Sequence, residues 1–206
     1  MSGIASIPDY SLPKYTKLPK NLAHWKIDPD RSVLLVHDMQ RYFLAPFSEA
    51  FQSRLIEKCS TLVKHSRTLR MPIFYTAQPG SMTEKERGLL KDIWSPGMKA
   101  SPEDREIVEE LKPRSEDTVL TKWRYSAFCR SNLQEQIISK NRDQLIICGV
   151  YGHVGIMATA IEAFSHDIQP FLVADAIGDF TAEYHWMTLN YSASRCAVVT
   201  TVKEAF

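Results

Sequence analysis

The chain alternates between short apolar runs and longer segments in which apolar residues recur every three or four positions. A continuous apolar run that ends in polar residues is typical of a strand buried on both faces of a parallel sheet. Six runs have this form, and each is a predicted strand. They are SVLLVHD (32–38), PIFYTAQ (72–78), DTVLTK (117–122), QLIICGV (144–150), PFLVAD (170–175) and CAVVTT (196–201).

Helical patterns separate most of these predicted strands. Residues 53–70 place apolar side chains on one face of a helix. A second helix is predicted to begin at Ser131, where Ser-x-x-Gln has the form of a capping box. A third follows the fourth run, and its predicted apolar face consists of Val154, Met157, Ala158 and Ile161.

Alternating strands and helices with right-handed crossovers predict an α/β fold. We expect a three-layer αβα, Rossmann-like fold in which helices cover both faces of a mainly parallel, six-stranded sheet. The length suits one domain over residues 1–206, and residues 1–30, with four prolines, are expected to form an extended arm on the surface or on a neighbouring subunit. Ligands of such folds bind beyond the carboxyl ends of the strands, so that edge should carry the chemistry.

The longest polar connection, residues 79–104, lies between the second and third predicted strands. Near its end Ser101 and Pro102 provide an N-cap residue and a proline at the first helical position. A connection of this length beside the strand ends is predicted to form a lid.

Charge and composition restrict the possible partners. A formal net charge of +1, without a cluster of lysines and arginines, provides no field for a nucleic acid or an anionic membrane. No apolar run is long enough to span a membrane, and the N-terminus lacks the order of a signal peptide. Four cysteines without a CxxC pair argue against a disulfide framework or a zinc site. We therefore expect a cytoplasmic protein with reduced thiols that acts on a small molecule.

Polar residues stand at the predicted strand ends, in segments far apart in the sequence. Asp38 closes the first run, Gln78 the second and Lys122 the third. Taken singly, Asp38 could cap a turn and Lys122 could be a solvated strand-end residue. Because the carboxyl ends of parallel strands meet at one edge, all three side chains are expected to share one site.

The stretch GVYGHVGIMATA (149–160) has the form of a strand-to-helix elbow, but it contains neither serine nor cysteine. Its glycine spacing, G-x-x-G-x-x-G, differs from that of dinucleotide sites, so no nicotinamide or flavin cofactor is expected. Cys148 lies inside an apolar run and is predicted to be a small buried residue. The histidines lack the paired spacing of zinc ligands, so no metal is expected. The amides at the helix start would still suit a carboxylate or an oxyanion.

Five segments together resemble a known family. They are LLVHDMQRYF, YTAQPGSMTEKERGLLKDIWSPGM, LTKWRYSAF, GVYGHVG and DIQPFLVADAIGDF. In this order they resemble the isochorismatase branch of the isochorismatase-like, or cysteine hydrolase, superfamily. Within that branch the chain looks most like the phenazine-biosynthesis enzymes that hydrolyse 2-amino-2-deoxyisochorismate. Isochorismatases of catechol siderophore pathways often carry a carrier domain, which we do not expect in a chain that ends at Phe206.

The resemblance implies a mechanism without a covalent nucleophile. The superfamily uses an Asp, Lys and Cys triad, and here Asp38 and Lys122 match the first two members while Gly155 stands at the cysteine position. Hydrolysis of an enolpyruvyl vinyl ether fits this departure, because it needs a proton delivered to carbon and then water. Asp38 is thus the expected general acid, a role that requires a pKa raised by burial and by nearby substrate carboxylates. Lys122 is expected to orient Asp38 and to bind substrate carboxylate, but its charge favours the ionised form of Asp38, and the sequence leaves that balance open.

The resemblance also implies a homodimer, no cofactor and a set of substrate contacts. Gly155 is expected to leave space and bare amides for the pyruvyl group, and the family often has a cis peptide bond where Val150 meets Tyr151. The expected substrate-binding residues are Gln78, Arg87, Tyr151 and the Gly155 amide, with Trp94 and Tyr125 as walls of the pocket.

Three alternatives remain open. An amidase of the nicotinamidase kind would have cysteine at position 155 and metal-binding histidines in the lid, and this chain has neither. A non-catalytic binding module would have lost turnover with the nucleophile, although Asp38 and Lys122 are retained. The substrate could also be isochorismate, with a hydroxyl in place of the amine, and motif similarity alone favours the amine.

Overall fold

The computed structural model describes residues 4–205, so residues 1–3 of the predicted arm and Phe206 lie outside the described part. All six predicted strands are confirmed. They are β1 (Ser32–His37), β2 (Ile73–Ala77), β3 (Thr118–Thr121), β4 (Gln144–Val150), β5 (Gln169–Gly178) and β6 (Val198–Thr200). They form one sheet in the order β3-β2-β1-β4-β5-β6, and every neighbouring pair is parallel.

Helices connect the strands and cover both faces of the sheet. They are α1 (Arg41–Leu44), α2 (Glu49–Thr68), α3 (Glu84–Arg87), α4 (Leu90–Trp94), α5 (Pro102–Arg105), α6 (Leu133–Ser139), α7 (Met157–Ser165), α8 (Ala182–Arg195) and α9 (Val202–Ala205). Along β1 the side chains alternate, because successive residues of a strand point to opposite faces. Leu34 packs in the apolar layer under α2, whereas Leu35 packs in the layer under α6, α7 and α8. The predicted three-layer αβα architecture is confirmed.

The strand order determines where a ligand can bind. The chain leaves β1 towards β2 on one side and leaves β4 towards β5 on the other. The helices that follow these two strands therefore separate to opposite faces, and a crevice opens at the carboxyl ends of β1 and β4. Asp38 follows β1 directly and the elbow follows β4, so both border this crevice.

Two sequence predictions about helices are wrong. The buried residues of α7 are Thr159, Ala160 and Ala163, whereas Ile161, assigned to the core face, is 36% exposed. A π-helical turn over Gly152–Ile156 precedes α7. A π-helical turn contains about one residue more than an α-helical turn. Residues assigned to the core face with α-helical spacing from before this turn therefore lie on a different side of α7.

The predicted capping box at Ser131 is also absent. The N-cap of α6 is Asn132, without a side-chain cap bond, and Ser131 Oγ donates instead to the Ala127 carbonyl at 2.6 Å. A capping box does form in the lid, where the Thr83 and Glu86 side chains each bind the other's backbone amide at the start of α3. Its Thr-x-x-Glu signature was available in the sequence.

The fifth strand is longer than its predicted range of 170–175. It continues through Asp175 to Gly178, although an aspartate usually favours the end of a strand. Asp175 is tolerated because its carboxylate accepts the Val202 amide at 2.8 Å and pairs with Lys58 Nζ at 3.2 Å.

The described part of the arm lies against its own chain. Ile7 is 5% exposed and its amide donates to the Pro46 carbonyl at 2.9 Å. Tyr10 packs against Phe51 of α2, with ring centroids 4.7 Å apart. Within residues 4–205, no helix has the length and apolar character that a bilayer span requires.

Candidate active site

All the site residues predicted from the sequence line one cavity at the crevice between β1 and β4. They are Asp38, Gln78, Arg87, Trp94, Lys122, Tyr125, Tyr151 and Gly155. The three strand-end residues come from β1, β2 and β3, which are neighbours in the sheet, so the parallel register brings them to one edge. The sequence analysis missed further lining residues, among them His37, Tyr42, Phe43, Arg124 and Val154.

Asp38 is held by three buried contacts at the floor of the cavity. One carboxylate oxygen, Oδ2, accepts from Lys122 Nζ at 2.7 Å, and the other accepts from Thr76 Oγ1 at 2.6 Å. The Asp38 amide also donates to Thr76 Oγ1 at 3.0 Å. Asp38 is 5% exposed and Lys122 3%. The carboxylate therefore has a fixed orientation in a region of low dielectric constant.

The structure gives the direction of the Asp38 pKa, which the sequence left open. Burial by itself raises the pKa of this carboxyl, but the Lys122 charge, the neighbouring His37 and the hydrogen bonds from Lys122 and Thr76 together hold it below its ordinary value. Burial is the largest single effect, and the attraction of the cation 2.7 Å away exceeds it only together with the effects of His37 and the hydrogen bonds. In the protein alone, Asp38 is thus a carboxylate at neutral pH.

The lid helix α3 places Arg87 inside the cavity. Arg87 is 5% exposed, and its guanidinium donates to the Ser95 carbonyl at 2.9 Å and to the Trp94 carbonyl at 3.2 Å. A longer bond of 3.4 Å joins Nη1 to Gln78 Oε1. Within the described part of the chain, no carboxylate pairs with this guanidinium, and burial lowers its pKa. Arg87 is therefore a cation held by neutral groups.

A second arginine, Arg124, lines the same cavity from the segment after β3. Its Nη1 donates to the Glu86 and Trp123 carbonyls at 2.8 and 2.6 Å. Two lid glycines make room for the arginines. A β-carbon at Gly88 would lie 2.7 Å from Arg124 Nη2, and one at Gly97 would lie 2.7 Å from Arg87 Cζ. The lid is thus built around two guanidinium groups, an arrangement suited to carboxylates.

The elbow supplies the wall opposite the lid. The peptide bond between Val150 and Tyr151 is cis, as the resemblance implied. The Tyr151 hydroxyl donates to the Phe43 carbonyl at 2.5 Å, and the Gly155 amide donates to the Tyr151 carbonyl at 3.1 Å. Both donors expected to contact substrate therefore have partners within the chain.

Two aromatic residues close the cavity where it meets solvent. Trp94 Nε1 donates to the Tyr125 hydroxyl at 2.8 Å, which links α4 of the lid to the segment after β3. The Trp94 ring also stacks on Phe180, with centroids 5.8 Å apart. These contacts hold both predicted wall residues, Trp94 and Tyr125, at the edge of the cavity.

Acid is expected to destabilise the protein through two buried histidines. Burial lowers the pKa of His37 and of His185 from 6.5 to about 4, and for His37 the Lys122 charge adds to this effect. In the unfolded chain both side chains titrate near 6.5, so the unfolded state binds more protons as pH falls from 6.5 towards 4. Across that window each histidine should remove about 3 kcal/mol from the free energy of unfolding.

Urea denaturation measured above and within this pH window tests the expectation. His185→Asn should flatten the pH dependence, and the same change at exposed His24 should leave it unaltered. A free energy of unfolding that stays constant over this pH range would show that the buried imidazoles are not neutral.

Among the described lining residues of the cavity there is no serine, threonine or cysteine that could act as a nucleophile. The cavity contains a fixed carboxyl group and two arginines without carboxylate partners among residues 4–205, and the elbow beside them has glycine at position 155. Among the described residues, no group of three or more His, Cys, Asp or Glu side chains is arranged to hold a metal ion.

Comparisons with known proteins agree with this site. The isochorismatase domain model matches residues 32–204. The chain is 56% identical to the phenazine biosynthesis protein PhzD of Pseudomonas fluorescens, over 99% of both chains, and 42% identical to enterobactin synthase component B of Escherichia coli, over 98% of this chain and 71% of that protein. A cysteine hydrolase structure from Pseudomonas syringae pv. phaseolicola superposes with a TM-score of 0.82 at 21% identity, covering 91% of this chain and 95% of that one. The chain therefore belongs to the isochorismatase family.

Proposed function

We propose that the chain hydrolyses the enolpyruvyl vinyl ether of 2-amino-2-deoxyisochorismate to pyruvate and trans-2,3-dihydro-3-hydroxyanthranilate in phenazine biosynthesis. The observation that carries this proposal is the buried Asp38, fixed by Lys122 and Thr76, in a cavity that also holds two arginines. The identity of 56% to a phenazine biosynthesis protein, over nearly the whole length of both chains, supports the choice of pathway.

Asp38 acts as the general acid in this proposal. Its proton moves to the methylene carbon of the vinyl ether and leaves an oxocarbenium ion. Water adds to that ion and returns a proton to Asp38, and the resulting hemiketal separates into pyruvate and the ring alcohol. No metal or cofactor takes part in these steps.

Substrate binding has to supply the protonated form of Asp38. In the protein alone Lys122 keeps the pKa of Asp38 low. A substrate carboxylate beside Lys122 shares this cation and adds negative charge near Asp38, and both effects raise the pKa of the aspartate. In this proposal Asp38 therefore becomes protonated when the substrate binds.

Isochorismate is a second candidate substrate, because the cavity has no carboxylate reserved for an ammonium group. Asp38 is the one acidic side chain among the described lining residues. A hydroxyl at the same ring position would not need a carboxylate partner. The 42% identity to an enterobactin synthase component is consistent with this activity.

Pyruvate release tests the proposed function directly. Each substrate is supplied in chelator-treated buffer and pyruvate is followed with lactate dehydrogenase. Release from either compound establishes vinyl ether hydrolysis, and the ratio of the two kcat/KM values identifies the preferred substrate. Failure to release pyruvate from both would overturn the proposal in favour of ligand binding without turnover.

Arg87→Ala is expected to raise KM for the substrate about 10- to 100-fold, the range for a charge-assisted hydrogen bond, while kcat changes little. The reason is that a buried guanidinium without a carboxylate partner binds the substrate in both the ground state and the transition state. Steady-state kinetics of the variant measure both constants. Lys85→Ala removes an exposed cation from the same helix and is the control. An unchanged KM in the Arg87 variant would show that this arginine does not bind substrate.

A single domain over residues 1–206, a homodimer and a cytoplasmic location complete the proposal. Support for the dimer comes from large apolar side chains exposed on α7 and α8. They are Ile161, Phe164, Tyr184, Met187 and Tyr191, each 36–47% exposed. Patches of this kind favour association. Sedimentation equilibrium that gives the mass of one chain would contradict the dimer.

A further inference from the structure

His37 joins the strand that carries Asp38 to the strand that leads into the elbow. It is the last residue of β1, it is fully buried, and it pairs in register with Gly149 of β4. Its Nδ1 atom lies 2.7 Å from the Val150 carbonyl oxygen. Since a carbonyl accepts hydrogen bonds, Nδ1 carries the proton of the imidazole. The side chain is therefore fixed across the crevice, next to Asp38 in the chain.

The far edge of the His37 ring lies against Gly155. A β-carbon at position 155 would overlap His37 Cε1, would lie 2.9 Å from Nε2 and 3.2 Å from the Tyr125 carbonyl oxygen. The place where a side chain at position 155 would lie is thus filled by an imidazole. His37 is by itself a reason for glycine at this position, and the expected space for the pyruvyl group stays a prediction.

Gly149 is required by the same residue. Its φ is +113°, and a β-carbon there would overlap the His37 carbonyl oxygen. Two glycines of the elbow region therefore accommodate one histidine, one beside its backbone and one beside its ring. Such close approach of backbone to a neighbouring group is available to glycine alone.

The Tyr125 backbone carbonyl lies near the other edge of the ring. His37 Nε2 is buried and makes no hydrogen bond of good geometry there, but the Tyr125 carbonyl and the Val150 carbonyl both act on the imidazole. The ring therefore lies between the segment after β3 and the end of β4.

We propose that His37 is a positioning residue for vinyl ether hydrolysis: it fixes the end of β1 so that Asp38 faces the cavity, and it fills the place where position 155 would otherwise carry a side chain. This inference rests on the proposed function. On this account one imidazole both orients the proton donor, Asp38, and excludes a nucleophilic side chain from position 155. Asp38 follows His37 directly with φ +51°, so a shift of the ring changes the direction of the carboxyl group.

Asparagine at position 37 separates the two roles of the histidine. Its side-chain amide can still donate to the Val150 carbonyl, but it lacks the ring edge that touches Gly155. His37→Ala loses both contacts and is expected to lower kcat roughly tenfold or more while KM changes little, and His37→Asn should recover part of that loss.

Gly155→Ala should lower both kcat and Tm in the wild-type background and much less in the His37→Asn background.

The experiment measures kcat, KM and Tm for the wild type, His37→Ala, His37→Asn, Gly155→Ala and the double variant His37→Asn/Gly155→Ala. His185→Asn is the matched control, because His185 is also fully buried, bonds through Nδ1 to Tyr10 and has an Nε2 atom without a hydrogen bond of good geometry, but does not line the cavity. It should lower Tm and leave kcat near the wild-type value.

Two results would overturn the inference. One is a Gly155→Ala effect on Tm of the same size in both backgrounds, which would show that the ring does not exclude a side chain there. The other is a loss of kcat in His185→Asn that equals the loss in His37→Ala. The Tm comparison needs no substrate, so it tests the contact between His37 and Gly155 even if the wild-type protein released no pyruvate and the proposed function failed.

Discussion

Asp38→Asn is expected to lower kcat for pyruvate release roughly 10³-fold, within the range for loss of a positioned general acid, while KM changes only a few-fold. The amide has nearly the shape of the carboxyl group, its oxygen can still accept from Lys122, and its NH2 group can donate to the Thr76 hydroxyl, so the cavity keeps its form. It cannot, however, donate a proton to carbon. Steady-state pyruvate release with the variant measures both constants.

Asp175→Asn is the control for this substitution. Asp175 is also a strand carboxylate that is mostly buried, 8% exposed, and pairs with a lysine, Lys58, at 3.2 Å, but it lies outside the cavity. Its variant should retain the wild-type kcat whatever happens to its stability. Equal kcat values for the Asp38 variant and the wild type would remove Asp38 from the mechanism.

Lys122→Met is expected to lower the free energy of unfolding by about 3–5 kcal/mol, the usual effect of removing one partner from a buried ion pair. Methionine has a similar length and leaves the Asp38 carboxylate buried at 5% exposure without its cation. Chemical denaturation at neutral pH measures the loss. Lys91→Met, which removes one partner of the exposed pair with Glu84, should cause no measurable change.

The pH dependence of this loss has a definite sign. In the wild type the Asp38 pKa is lowered, so the pair contributes stability at neutral pH that disappears as pH falls through that pKa. In Lys122→Met the two effects of the lysine are lost and burial is opposed only by His37 and Thr76, so the Asp38 pKa rises and the carboxyl group becomes neutral at a higher pH. The stability difference between the two proteins should therefore shrink in acid. A difference that grows as pH falls would contradict the assignment of the charged pair.

The strands and the edge that bears the site could be predicted from the sequence, because each depends on local pattern. Asp38 and Lys122 were found because each directly follows an apolar run. Thr76 was not predicted because it lies inside such a run, and only the pairing of β2 with β1 brings it to Asp38, 38 positions earlier in the chain.

The contact between His37 and Gly155 could not have been predicted by any local rule. It joins the last residue of β1 to the π-helical turn that follows β4, two segments that are far apart in the chain, and it depends on ring placement. Glycine at 155 is visible in the sequence, but the reason for it is visible only in three dimensions. The π-helical turn that displaced the core face of α7 is similar, because it depends on how the elbow leaves β4.

The separate cations of the cavity have a consequence for the end of the proposed reaction. If one substrate carboxylate lies beside Lys122 and the other binds a cavity arginine, both contacts belong to one molecule, so the second contact forms at high effective concentration. Hydrolysis divides the two carboxylates between pyruvate and the ring product. Neither product carries both carboxylates, so neither can make both contacts. The gain in affinity from making both is lost in the step that breaks the ether. Hydrolysis thus converts one tightly bound ligand into two weakly bound ones. The products can then dissociate without a lid that distinguishes them from the substrate.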